Sequence, residues 1–143
     1  MSGKVTVTYY MTDDGWLYSD SFGCAMLEGR RDGDVGVTVE EGRRVLTLPQ
    51  SLDGMDVYII SFDGEYDALT EELIIPPGVG IIMPHAFWGW TKLREVQIPD
   101  SVLEIGKGAF FATAIPDARQ QELYRSHAAL SEADEEQLPY ALV

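Results

Sequence analysis

The chain has 143 residues, 45% of them hydrophobic and 24% charged, enough for one ordinary domain with a buried core and unlike a disordered chain. Asp and Glu number 24 against 10 Lys and Arg, a formal net charge of −14. That excess argues against direct binding to a nucleic-acid backbone or an anionic membrane, since cationic side chains hold both. It leaves a basic protein surface as the natural partner.

In chain order, residues 4–10 (KVTVTYY) are β-branched and aromatic and run into the turn signal Asp13-Asp14-Gly15. Trp16-Leu17-Tyr18 follows, so the pattern predicts an N-terminal hairpin. Cys24, the only cysteine, excludes an internal disulfide and a cysteine zinc site. Among Phe22, Gly23, Ala25 and Met26 it reads as a buried structural thiol. Residues 28–36 (EGRRDGDVG) read as an exposed loop, and Val35–Val39 with Arg43–Leu48 as a second strand pair. The N-terminus lacks the apolar segment of a secretory signal, and no stretch approaches 18 consecutive apolar residues. With Met1 as the natural start the expectation is a cytoplasmic protein; a trimmed start leaves a secreted or surface protein open.

A repeat then takes over. "LIIPPGVGIIMPHAFWGW" begins at Leu73 and "VQIPDSVLEIGKGAFFAT" at Val96. Ile75-Pro76 answers Ile98-Pro99, Val79 Val102, Ile82 Ile105, and Ala86-Phe87 Ala109-Phe110, all at an offset of 23 residues (99 − 76). One gapless offset of this length marks stacked repeats. Leu46-Thr47-Leu48-Pro49 is a weaker first copy, offset by 27 (76 − 49), which places an insertion around Asp53–Val57. Each copy predicts a short strand over 45–48, 72–75 or 95–98, with the first and third residues of Leu-x-Leu/Ile-Pro pointing inward. Proline ends the strand because it cannot donate a ladder hydrogen bond. The next layer is Val79/Val102 and Ile82/Ile105, with the Ala-Phe pairs beneath. After Ile115, Pro116 and DARQQELYRSHAAL predict a helix, and Ser131–Asp134 resembles a capping box opening a second.

The pattern carried by Leu73, Ile75, Pro76, Val79, Ile82, Ala86, Phe87, Gly89, Leu93, Val96, Ile98, Pro99, Ser101, Val102, Ile105, Gly106, Ala109 and Phe110 resembles the BspA-type leucine-rich repeat of bacterial and protozoan proteins. The resemblance spans about residues 45–115. Trp90 and Thr113 depart from it, standing where the family places a small residue or cysteine, as does Met83-Pro84 after the isoleucine. It implies an α/β repeat fold: a short leucine-rich-repeat solenoid of about three copies. A β-hairpin region (1–44) precedes it and a helical cap (116–143) follows, all in a single domain of residues 1–143. For function it implies adhesion or host interaction at a cell surface.

No catalytic constellation is visible, and neither His85 nor His127 lies in a nucleophile or metal motif. Asp32-Gly-Asp34 and Asp63–Asp67 alternate oxygen donors like a calcium loop, but Arg43 and Ile74 stand where the closing glutamate belongs. The expectation is a protein that is not an enzyme and needs no metal or cofactor. Binding residues are sought on the outward side of the strands: Val45, Thr47, Glu72, Ile74, Glu95 and Gln97. Trp88, beside Phe111 at the same repeat position, adds an aromatic anchor, while Trp90 reads as core. Asp63, Glu65 and Asp67 add carboxylates. These residues predict a non-enzymatic protein-binding module that docks on a basic, possibly nucleic-acid-binding, protein surface as an inhibitor or adaptor. A phage-type inhibitor of host defence is one setting for it. A short adhesion protein of the BspA-like kind is the alternative.

Overall fold

The computed structural model describes residues 6–62 and 64–127. Eleven strands and one helix follow in order: β1 (Tyr9–Met11), β2 (Trp16–Ser21), β3 (Cys24–Arg30), β4 (Val37–Glu40), β5 (Arg43–Thr47), β6 (Ser51–Leu52), β7 (Met55–Ile60), β8 (Glu72–Ile74), β9 (Ile81–Ile82), β10 (Glu95–Gln97), β11 (Glu104–Ile105) and α1 (Asp117–His127). They form two sheets. One is ordered β1-β2-β3-β7-β9-β11 with β6 paired to β7, and the other β10-β8-β5-β4.

The repeat sets both. β5, β8 and β10 pair in parallel with Val45, Glu72 and Glu95 in one row, Leu46, Leu73 and Val96 in the next, and Thr47, Ile74 and Gln97 in the third. The middle row is wholly buried. On the other sheet β7, β9 and β11 align Ile60, Ile82 and Ile105, also in the core. Parallel strands on both sides of each copy leave no copy able to cover its own apolar face, so neighbours bury one another. Between the sheets Phe87 stacks on Phe110 at 5.6 Å and 10°, and Trp90 meets Phe87 edge-on at 5.0 Å. The placement expected for the two phenylalanines and for Trp90 is the one found.

The insertion in the first copy is a hairpin. β6 turns through Asp53 and Gly54, both with positive φ (50° and 85°), into β7, within the predicted 53–57 segment. In contrast, the loop expected over 28–36 begins as strand. Glu28–Arg30 end β3, and Arg30 and Val35 are buried. β3 also pairs in parallel with β7, which joins the N-terminal meander to the repeats. No local pattern announces that pairing, because a parallel partner is remote in sequence. The N-terminal hairpin is present, but among the described residues its first strand starts at Tyr9, with residues 6–8 outside it; residues 4 and 5 of the expected strand lie outside the described residues.

At the far end α1 begins just after Pro116, with Asp117 in its first turn and Arg125 and His127 in its last, the polarity a helix dipole favours. Leu123 and Tyr124 are buried, and the Tyr124 hydroxyl donates to the Gly106 carbonyl at 2.7 Å. The second helix expected from Ser131 lies outside the described residues. Gly106 itself has no room for a side chain. A Cβ there would collide with the backbone of Met83 and Pro84 in the adjacent copy, reaching 2.6 Å from the Met83 carbonyl carbon. Gly106→Ala must therefore push two packed turns apart, an overpacking cost of about 1–3 kcal/mol. Chemical denaturation should show a lower midpoint with an unchanged slope; an unshifted midpoint would mean the copies are not in this contact.

Candidate functional site

The outward residues of β5, β8 and β10 divide into two rows. Thr47 and Gln97 are exposed and Ile74 between them is half-buried, so this row forms an open strip. The other row is partly closed. Val45 is only 2% exposed, contrary to the expectation of a surface residue. Arg43, two residues earlier on the same face, reaches across to Glu72, the register partner of Val45, at 2.9 Å, and this bridge lies beside the valine. Glu72 is 9% exposed and accepts a second bond from Gln97 Nε2 at 3.1 Å, so it is an inner member of a network rather than a free carboxylate. Glu95 stays exposed, with Arg119 of α1 at 3.5 Å. Each carboxylate here faces a guanidinium, Glu71 included, with Arg94 at 3.6 Å.

The predicted carboxylates of the 63–67 loop are also drawn inward. Asp63 lies outside the described residues. Arg30 donates to Glu65 at 2.7 Å, to Asp67 at 3.0 Å and to the carbonyls of Gly33 and Val35. The Arg30 guanidinium also lies 5.7 Å from the Trp90 ring and 6.0 Å from Phe62. Burial alone would raise the Asp67 pKa. The Thr70 hydroxyl, the Thr70 and Leu69 amides and Arg30 outweigh it and hold the carboxyl below its usual range. Asp67 is 6% exposed, so it is a structural ion and not a surface one, a correction to its reading as a binding residue. Among the described residues no group of His, Cys, Asp and Glu could hold a metal ion. Cys24 is a free, half-buried thiol at the start of β3, less buried than expected.

The aromatic anchor has more around it than expected. Trp88 is 37% exposed and packs edge-on against both Phe111 and His85, each at 4.7 Å. Opposite stands Tyr66, 77% exposed, its ring 3.5 Å from where a Cβ on Gly89 would be. Gly64, Glu65, Tyr66, His85 and Trp88 line one cavity of about 300 Å³. Backbone bonds from His85, Phe87 and Gly89 to the carbonyls of Lys107, Ala109 and Phe111 stitch these loops together copy by copy.

No protein-family model matches the chain, and no curated protein matches it. Solved structures do. A leucine-rich repeat protein of T. pallidum is similar at 23% identity and TM-score 0.53, over 74% of this chain and 42% of that one. A leucine-rich cell surface protein of Faecalibacterium prausnitzii is similar at 21% identity and TM-score 0.57, over 76% of this chain and 29% of that one. This chain has the leucine-rich repeat fold. It spans less than half the length of either structure. The BspA-type resemblance of residues 45–115 agrees with that fold.

Within the leucine-rich repeat, the 23-residue offset marks Trp88 and Phe111 but gives no sign of Tyr66, and His85 stands in no nucleophile or metal motif. One backbone signal does mark His85. Phe62, His85 and Gly108 all adopt left-handed φ (46°, 62° and 70°) just after the second strand of their copies. Glycine takes that conformation freely, whereas histidine takes it at a cost.

Proposed function

We propose that this chain is a non-enzymatic protein-binding module that docks on a basic protein surface as an inhibitor or adaptor. The reading treats residues 45–115 as about three copies stacked in a short solenoid, within one domain of residues 1–143. The observation that carries it is the exposed strip of Thr47, Ile74 and Gln97 beside Glu95, on a protein of net charge −14. Because the strip's own carboxylates are paired with arginines, attraction comes from the field of the whole chain and specificity from the strip. A basic partner that ordinarily holds nucleic acid is the chemistry such a surface fits, as a phage-type inhibitor of a host nuclease would require. A second reading is a short adhesion or host-interaction protein. The similarity to a leucine-rich cell surface protein favours it.

The test compares two swaps of equal charge. Glu95→Lys lies on β10 beside the strip, and Glu104→Lys on β11 of the other sheet; both residues are exposed. Basic proteins captured from a bacterial lysate by the wild type should be lost with Glu95→Lys and largely kept with Glu104→Lys. Association should slow as salt rises, since exposed charges are screened beyond about 8 Å at physiological ionic strength. Equal losses from both variants would reduce the effect to net charge alone.

A further inference from the structure

We infer that the cavity between Tyr66 and Trp88 receives an arginine side chain of a partner polypeptide; the inference rests on the protein-binding reading above. The loop that carries Glu65 already holds one guanidinium. On its buried side, Arg30 sits between the Trp90 ring at 5.7 Å and the carboxylates of Glu65 and Asp67. On its exposed side aromatic residues and a carboxylate recur: Trp88, Tyr66 and the same Glu65 are in the lining. One guanidinium against two carboxylates leaves the Arg30 cluster with a net negative charge, and the Glu65 side chain keeps 16% of its surface exposed. A planar, weakly hydrated cation suits such a place better than a compact ammonium, because it stacks on a ring while donating to a carboxylate.

The cavity is also held ready. His85 keeps a left-handed backbone (φ 62°) and packs its ring perpendicular to Trp88 at 4.7 Å. Gly108 makes room for it, since a Cβ there would come within 2.6 Å of His85 Cδ2. Phe111 supports Trp88 from the next copy at 4.7 Å. The position is exposed at His85, unlike the matching Phe62 in the core, so the side chain that this backbone holds out is part of the cavity lining. Tyr66 and Trp88 keep 77% and 37% of their surface exposed, and both residue types, like arginine, are enriched among interface hot spots.

The experiment follows the three tryptophan indole N–H signals of the full chain by NMR. Trp16 and Trp90 are buried, so Trp88 reports on the cavity. A short peptide with one central arginine should shift the Trp88 signal and saturate it. The same peptide with citrulline, its neutral isostere, should not, and a lysine peptide should bind more weakly. Tyr66→Ala, at a 77% exposed residue, should weaken the arginine peptide by about tenfold. An unmoved Trp88 signal, an equal response to citrulline, tighter binding of lysine, or full affinity in Tyr66→Ala would each overturn the assignment. The Glu95→Lys variant separates the two proposals: it should leave this titration intact. Loss of the arginine response in a chain whose strip still selects its partner sinks the cavity alone. A normal response in a chain whose strip proves indifferent sinks only the strip.

Discussion

Phe110→Ala is expected to destabilise the protein by about 3–5 kcal/mol, the cost of truncating a fully packed phenylalanine. Phe110 is wholly buried and stacks at 5.6 Å on Phe87, which in turn meets Trp90 at 5.0 Å and Phe62 at 5.7 Å. Phe110 therefore supports the aromatic cluster through Phe87, and the hole left behind, against the Phe87 face, cannot close without repacking the core. Thermal melts followed by circular dichroism should show the midpoint falling by roughly 10 °C or more for a chain of this size. Phe111→Ala, at the neighbouring half-buried position, should fall much less. Similar melts for Phe110→Ala and the wild type would mean that the stack is not the centre of the core.

Arg30→Met should cost a comparable amount, about 3–5 kcal/mol, because removing one partner strands the buried Asp67 carboxylate and leaves the partly exposed Glu65 without its cation. The Arg30 side chain has no exposed surface and faces Glu65 and Asp67 at 2.7 and 3.0 Å. Methionine keeps much of the volume against Phe62 and Trp90 but satisfies neither carboxylate. Adding Asp67→Asn should recover part of the loss, and the size of the recovery in a double-mutant cycle measures the coupling. The same cluster gives a pH dependence of fixed sign. Asp67 titrates lower in the folded chain than in the unfolded one. Its contribution is therefore present above the ordinary carboxylate range near pH 4 and is lost as pH falls through the lower folded value. Asp67→Asn should flatten the loss of stability below about pH 4; an unchanged acid limb would show that the bonds from Thr70, Leu69 and Arg30 do not hold the Asp67 carboxylate.

The candidate site was legible only in part. Trp88 and Phe111 could be paired from the 23-residue offset, and Thr47, Ile74, Glu95 and Gln97 from strand alternation, since both are rules of period. Val45, Glu72 and Asp67 could not be placed, because their burial depends on arginines 29 to 37 residues away or on an ion pair beside them. Tyr66 was invisible for a related reason. It joins Trp88 only when two loops from successive copies are laid side by side.

What the sequence by itself determined is the part of the fold that repeats. The spacing of Leu46, Leu73 and Val96 dictates a parallel ladder, because that register buries every copy's apolar residues against the next, whereas the second ladder through Ile60, Ile82 and Ile105 came from the structure. Tertiary structure alone decided the rest. The pairing of β3 with β7 brings Arg30 under the repeat loops, where it draws in Glu65 and Asp67: Asp67 becomes a buried ion, while Glu65 keeps 16% of its side chain exposed. A desolvated guanidinium must be paired wherever it lands, so that one strand contact decided that Asp67 is buried and Glu65 drawn inward, beside the cavity that Tyr66 and Trp88 help to line.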